Sequence, residues 1–487
     1  MKNTFLKKIL AISVVIFLCS CKEDKPDTTP TVDSVIVSPE TAEIVKGEQQ
    51  IFTATVIGTN NPAQTVIWSI LGTGHKEATT IDSNGTLTIA ATENLKSITV
   101  RATSSVSRSK NGTAVVTIID PDLPSDPLDL TAAQIVSKIR VGWNLGNTLD
   151  AAGDKNGFNW LGGGVYANTS VAQMETAWLG GVNRVTTKAN FDALKNAGFN
   201  AVRIPVTWFK ALDENNIIRE DWMARVKEIV DYAVANDMYI LLNTHHDEEI
   251  FKFSNNGLEE SLNVFRKVWE QIAVAFKDYN EKLIFEALNE PRTKGTPGEW
   301  TGGTAVERNN LNAHYRVFVE TVRATGGNND RRVLMINTYA ASATASAVNG
   351  LVIPDDVVSN KIIVSIHTYA PYNFALNVNS PINTWNSNNS SDTNDINSAI
   401  NLAYNTFVSK GIPVILGEFG ALNKNNTAAR AAWAEYYVKT AKSKEMPCFW
   451  WDNAGVTGSG ELFGLLNRQT NVFHFPEIVE ALMKGTE

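Results

Sequence analysis

From residue 130 onward the chain alternates short apolar runs with longer amphipathic stretches, and this rhythm restricts the fold more than any other feature. The runs are Val141–Gly146, Ala201–Val206, Tyr239–Asn243, Leu283–Leu288, Val333–Asn337, Ile362–Ile366, Val414–Gly417 and Pro447–Trp451. Helical periodicity occupies Thr187–Ala197, Trp222–Asn236, Leu258–Asp278 and Thr427–Lys444 between them. Parallel strands need crossover helices, so eight such units in about 350 residues predict an α/β fold, a (β/α)8 TIM barrel, over residues 130–487. An open doubly wound sheet is the alternative, but no Gly-rich phosphate loop follows the first strand.

Upstream the texture is all-β. Within residues 32–119, Val35–Val37, Gln50–Val56, Val66–Trp68, Thr86–Ile89, Ile98–Val100 and Val115–Ile118 are β-branched runs. Turn signals such as Lys46-Gly47, Asn84-Gly85 and Asn111-Gly112 separate them, which predicts a small sandwich. With Trp68 on a middle strand and Asp82-Ser83-Asn84-Gly85-Thr86-Leu87 after it, the segment resembles a bacterial immunoglobulin-like domain. A spacer role is expected, with Trp68 in its core. Residues 120–129, rich in proline, read as a semi-rigid linker, and 21–31 as a tether.

Residues 1–20 read as a signal peptide. Lys2, Lys7 and Lys8 flank Ile9–Leu18, a run too short to span a bilayer. It closes on Leu18-Cys19-Ser20-Cys21, which resembles a bacterial lipobox and implies cleavage before Cys21 and lipidation of that residue. Lys22-Glu23-Asp24 resembles the export signal of Bacteroidetes surface lipoproteins. The expected location is the cell surface, anchored by lipid in the outer membrane; a periplasmic or secreted protein is the alternative. After cleavage only Cys21 and Cys448 remain, so no disulfide framework is available. A formal charge of −8 argues against a nucleic-acid partner, since counterion release needs a basic face. A monomer without cofactor is expected.

In a βα barrel the active site forms where the strands finish. Those ends are unlike the strands that feed them. They read Trp143-Asn144, Arg203 to Trp208, Asn243-Thr244-His245-His246-Asp247, Asn289-Glu290, His367-Thr368-Tyr369, Glu418-Phe419-Gly420 and Trp450-Trp451-Asp452-Asn453. Three of only six histidines lie there. Glu290 and Glu418 follow different strands and can face each other across the mouth. Such a pair suits glycosidic cleavage: a retaining enzyme needs the carboxyls about 5–5.5 Å apart, an inverting one a wider gap. Glu290, preceded by apolar residues, is expected to keep a raised pKa and serve as acid/base. Glu418, near Arg203, His367 and Tyr369, is expected to be the nucleophile.

These residues, in order and on these strands, resemble glycoside hydrolase family five, a group of retaining barrel enzymes. The resemblance assigns the acid/base to Glu290, the nucleophile to Glu418 and the 2-hydroxyl contact to Asn289, and its other invariant positions match Arg203, His245, His367, Tyr369 and Trp451. Gly142–Asp150, Glu175-Thr176-Ala177-Trp178, His245-His246 and Phe449–Asn453 are similar to subfamily four, which implies endo-hydrolysis of β-1,4-glucan backbones such as xyloglucan, mixed-linkage glucan and soluble cellulose. Leu179-Gly180-Gly181 departs from the Gly-Asn-Pro of many members, which leaves the loop shape open. The candidate substrate-binding residues are Asn144, Arg203, Trp208, His245, His246, Asn289, His367, Tyr369 and Trp451.

Eleven of the twelve tryptophans lie after Leu130. Indole faces stack on pyranose C–H faces, and Trp208 and Trp451, at strand ends, are the expected platforms. Trp222, Trp269 and Trp433, on helical stretches, are expected in the core. The loops Asp150–Arg184, with Trp160 and Trp178, and Asn377–Asn397, with Trp385, are expected to wall a cleft. Three readings compete: a catalytically inactive glycan-binding protein, the same chemistry on xylan or mannan, and a metal hydrolase using His245, His246, Asp247 and His367. The last is disfavoured because adjacent histidines on an extended segment point to opposite sides.

Overall fold

The computed structural model describes residues 28–120, 126–152, 169–181 and 184–487. The signal peptide, Cys21, most of the tether, Trp160 and half of the linker lie outside them. The chain divides into two compact units, the first ending at Leu123.

The first unit is a sandwich. Thr41–Val45, Asn111–Ile119, Ser97–Ser104 and Val66–Leu71 form one sheet in that order. Gln49–Ile51, Thr86–Thr88 and Thr80–Ile81 form a second, and Thr31–Ser38 pairs with Thr53–Thr59. Alternate residues of these strands, Val35, Val37, Val56, Ile98, Val100, Val116 and Ile118 among them, meet in one core. Trp68 packs against that core, close enough to Gly85 that a Cβ there would come within 2.9 Å of the indole.

The second unit is a closed barrel of eight parallel strands: Val141–Leu145, Ala201–Ile204, Tyr239–Asn243, Leu283–Glu286, Leu334–Ser342, Ile362–His367, Val414–Phe419 and Cys448–Asp452. Each adjacent pair is parallel, and Val141–Leu145 closes on Cys448–Asp452. Side chains alternate between the two faces of each strand. Ile240, Leu242, Phe285, Ile336, Val364 and Leu416 join the large core shared with the surrounding helices. Leu241, Ile284, Met335, Ile363, Ile415 and Phe449 form a separate interior layer with Ile135 and Val136 of the helix Ala132–Val136. That helix plugs the end of the barrel opposite the site, and a capping box of Thr131 and Gln134 starts it.

The expected helices form, as Lys188–Asn196, Glu220–Ala235, Leu258–Ala275 and Thr427–Lys442. Two long helices that periodicity did not reveal also appear, Ala305–Ala324 and Ser390–Thr406. The second takes up the end of the expected loop Asn377–Asn397. Trp385 corrects its expected role: it is buried, donates its Nε1 hydrogen to the Asp392 carbonyl at 2.9 Å and packs on Tyr436. Among the described residues no helix is long and apolar enough to cross a membrane.

Candidate active site

Two residues above the apolar interior layer, the same face of most strands becomes polar or small. Ala201 gives way to Arg203, Leu241 to Asn243, Ile284 to Glu286, Met335 to Asn337, Ile363 to Ser365 and Ile415 to Gly417. Register places Asn144 beside Arg203, Asn243 beside Glu286, and His367 beside Glu418. Arg203 is the hub of this layer and is fully buried. Its Nε donates to Glu286 Oε2 at 2.6 Å, Nη1 to Glu418 Oε1 at 2.6 Å and to Asn144 Oδ1 at 3.1 Å, and Nη2 to Asn289 Oδ1 at 2.8 Å. Burial disfavours the guanidinium, but Glu286 and Glu418 outweigh it and push its pKa above the ordinary value.

Glu290 and Glu418 meet at the mouth. One oxygen of each and a ring nitrogen of His367 all lie within 4.8 Å of one another, the short separation of a retaining pair rather than an inverting one. Tyr369 donates its hydroxyl to Glu418 Oε2 at 2.9 Å, so both oxygens of Glu418 have donors. Burial, then the charge of Glu418, keeps the Tyr369 phenol far above its usual pKa and therefore a donor. His367 Nδ1 lies 3.0 Å from Glu290 Oε1 and 3.7 Å from Glu418 Oε2. Gly417 permits this approach: a Cβ there would come within 3.0 Å of His367 Nε2 and 2.7 Å of Ser365 Oγ.

The expected raised pKa of Glu290 is corrected. Burial pushes its carboxyl up, but the His367 hydrogen bond and the charges of His367, Arg292 and His246 bring it below the ordinary value.

Beyond the third strand, His245 stacks parallel to Trp451, centroids 5.8 Å apart, and meets His246 edge-on at 4.4 Å. His246 is partly exposed, and Trp178, from the described end of the first-strand loop, lies 5.7 Å from its ring. Asp150, His245 and His246 also offer atoms within 4.8 Å of one another. The Asp150 oxygens, however, already accept the backbone N–H groups of Asn147 and Thr148 at 2.9 and 2.6 Å. Glu418 in the other cluster is similarly engaged. Asp247 faces inward: its Oδ1 accepts from the Trp208 and Phe209 backbone at 2.9 and 2.8 Å, and burial raises its pKa to about 7.

Three binding expectations are corrected. Trp208 is fully buried in the main core, with Nε1 donating to the Asn243 carbonyl at 2.9 Å. The strand ends at Ile204, and the turn into Phe209–Ala211 carries the indole inward instead of across the mouth. Asn144 is fully buried too; its amide donates to the carbonyls of Gly417, Phe449 and Trp450. Arg203 and Asn144 thus lie fully buried beneath the carboxylates, which leaves them no surface to offer a sugar. Trp451 exposes only 8% of its surface, which leaves it an edge at the floor. Asn289 and His245 are buried just beneath the mouth.

Two kinds of site residue escaped the sequence reading. Glu286 and Asn337 support Arg203 from below, the amide of Asn337 donating to Glu286 Oε1 at 2.8 Å. A carboxylate inside Leu-Ile-Phe-Glu was the available signal, because a buried charge demands a partner. Arg292, in the loop after the fourth strand and 3.8 Å from Glu290 Oε2, gave no signal beyond its place two residues after that carboxylate.

The family model for cellulase, glycosyl hydrolase family 5, matches residues 162–456. Endoglucanase A of Clostridium longisporum is 47% identical over 358 residues, which cover 73% of this chain and 66% of that protein, just under two thirds of its length. A broad-specificity endoglucanase of subfamily GH5-4 from Ruminococcus champanellensis, solved with bound cellotriose, superimposes with a TM-score of 0.68 at 46% identity, over 73% of this chain and 99% of that one. A xyloglucan-specific endo-β-1,4-glucanase from a metagenomic library, solved with cellotriose, gives 0.64 at 42% identity, over 72% and 97%.

Proposed function

Because the chain belongs to glycosyl hydrolase family 5, we propose that it hydrolyses internal β-1,4-glucosidic bonds of soluble plant glucans by double displacement at Glu290 and Glu418. The observation that carries this reading is the meeting of the two carboxylates within 4.8 Å at the mouth of the barrel. In the first step Glu418 bonds to the anomeric carbon while the glycosidic C–O bond breaks and a proton from Glu290 passes to the leaving oxygen. In the second, water attacks the same carbon, gives its proton to Glu290 and releases Glu418. Arg203 and Tyr369 hold both oxygens of Glu418, so the nucleophile is oriented before substrate arrives. His367 Nδ1 lies 3.0 Å from Glu290 Oε1; substrate that excludes water there adds to the burial that favours the neutral acid.

The relatives support glucan as the substrate: their printed activities are endoglucanase, lichenase and xyloglucan-specific glucanase. Reducing-end release and product profiles on mixed-linkage glucan, tamarind xyloglucan, carboxymethyl-cellulose, xylan and glucomannan test the reading. Glucans should rank first, and activity confined to xylan or mannan would overturn the substrate. Glu290→Ala is expected to lower kcat/KM on mixed-linkage glucan by about 10³-fold. An aryl glycoside whose leaving group needs no proton should lose far less, and an equal loss on both would remove Glu290 from the acid role.

The sandwich is proposed to be an immunoglobulin-like spacer, supported by its strand pattern, and the chain to be held at the outer-membrane surface through Cys21. The lipobox-like Leu18–Cys21 supports the anchor. Metabolic palmitate labelling should be lost in Cys21→Ser; labelling that persists counts against it.

A further inference from the structure

Lys210 is a charged side chain in a place that an apolar one could fill. It lies in the turn Phe209–Ala211 after the second strand and exposes 1% of its surface. Its Nζ donates to the Ala151 carbonyl at 2.5 Å and to the Met174 carbonyl at 3.4 Å, and sits 4.6 Å from the ring centre of Trp222. An ammonium carries three N–H groups and accepts nothing, so two carbonyls and one aromatic face account for all three. Burial lowers its pKa to about 7, against the charges of Asp150, Asp247 and Glu175, which favour the ammonium. A methionine would fill much of the same volume without that desolvation, so the donors are what the position gains from lysine.

The two carbonyls belong to opposite feet of one loop. Ala151 follows the first strand, and Met174 lies in the helix Val171–Glu175, where the loop returns. Each foot has local holds of its own. At the first, Thr207 Oγ1 donates to the Asp150 carbonyl at 2.7 Å and Thr207 N to the Leu149 carbonyl at 3.1 Å. At the second, Arg219 Nη1 donates to the Thr169 carbonyl at 3.0 Å, and Glu175 accepts from Arg225 at 2.8 and 3.0 Å and from Thr186 N at 2.6 Å. Of these side chains, Lys210 is the one that reaches both feet.

Both feet lead to His246. Asp150, beside Ala151, offers an atom within 4.8 Å of His245 and His246, and Thr207 Oγ1 also accepts from the His246 backbone N–H at 3.2 Å. Trp178, just beyond Glu175, lies 5.7 Å from the His246 ring. We propose that Lys210 is a positioning residue for substrate: by fastening both feet of the first-strand loop it sets Trp178 against His246, and with them one edge of the glucan-binding surface. The inference rests on the glycosidase reading. The polar contacts of Lys210 include neither Glu290 nor Glu418, so its effect falls on binding and not on bond cleavage. Without the ammonium the arriving glucan has to order both feet itself, and that ordering weakens its binding.

The experiment pairs amide hydrogen exchange with steady-state kinetics on mixed-linkage glucan, both at pH 6, where the ammonium predominates. In Lys210→Met, peptides covering 147–152 and 169–181 are expected to exchange about 10-fold faster than in the wild type, with the barrel strands unchanged. KM should rise about 10-fold while kcat stays within about twofold. Lys210→Gln, a smaller change, serves the same comparison where the methionine variant does not fold, and should speed exchange at both feet by at least about threefold. Exchange that stays at the wild-type rate at either foot overturns the fastening. Faster exchange at both feet with KM unmoved makes Lys210 a purely architectural residue and overturns the proposal. A kcat that falls more than about 10-fold at unchanged KM places the effect on the carboxylates and overturns it too. Wild-type protein that cleaves no glucan overturns the binding role together with the glycosidase reading, and exchange at the feet tells that failure from a failure of the fastening.

Discussion

Glu418→Gln is expected to abolish glucan hydrolysis, lowering kcat by about 10⁴-fold or more, while the protein folds as before. The argument is geometric. Glutamine keeps the length of the side chain and can turn its oxygen to Arg203 Nη1, so the 2.6 Å contact at the barrel centre survives in neutral form. What disappears is the second oxygen, the one that accepts from Tyr369 at 2.9 Å, and with it the negative charge that attacks the anomeric carbon. Thermal melting checks the fold, and reducing-end release checks the chemistry. A 2-deoxy-2-fluoro-cellobioside, which forms the ester but hydrolyses it slowly, should add its mass to the peptide containing Glu418 in the wild type and to no peptide in the variant. Label on another carboxylate, or a variant that retains more than about a hundredth of the activity, would contradict the assignment of Glu418.

The parts of this site that the sequence disclosed are those that obey a single local rule. Strand alternation puts every second residue into the interior, and the fourth and seventh strands end in residues that no apolar core requires, Asn289-Glu290 and Glu418. The same rule misled where the chain leaves the strand. Trp208 ends an apolar run and was expected at the mouth, but the backbone turns inward after Ile204 and buries the ring. Asn144 and Arg203 were read as sugar contacts, whereas the layer above them occupies that space.

Helix Ala305–Ala324 escaped because its buried face includes Glu307, Asn310, Asn312 and His314, which blur the apolar period. Asn310 donates to the Phe253 carbonyl at 3.0 Å, and Glu307 closes a capping box with Thr304, so tertiary partners replace the missing hydrophobic signal. Ser390–Thr406 opens on Asn, Ser and Asp, a composition that reads as loop until the cap made by Asn389 is seen to satisfy the first turn. The contact of Trp300 with Arg292 lies within one irregular loop, and no period describes it.

The largest expected loss of stability comes from Arg203→Met, which keeps much of the side-chain volume and removes the charge. Arg203 is the cation shared by Glu286 and Glu418, with side-chain exposures of 0% and 7%. Taking one partner from a buried pair costs about 3–5 kcal/mol, because the charge left behind has lost its compensation and cannot reach water. A drop of about 10 °C in melting temperature is the corresponding scale for a unit of this size. The loss of catalysis should exceed what instability explains. Asn289 Oδ1 loses its donor at 2.8 Å and Glu418 Oε1 its donor at 2.6 Å, so folded protein is expected to turn over about 10³-fold more slowly. The two effects are separable. Adding Glu286→Gln to Arg203→Met removes the orphaned charge furthest from the mouth and leaves an amide that Asn337 Nδ2 can still meet through the oxygen. Stability should then recover by about half of the loss while activity stays low. Calorimetry and single-turnover cleavage of an aryl cellotrioside on the same samples distinguish the outcomes. Full recovery of activity in the double variant would show that Arg203 only balances buried charge. A single variant that melts within about 1 °C of the wild type would show that the layer beneath the carboxylates does not depend on this cation.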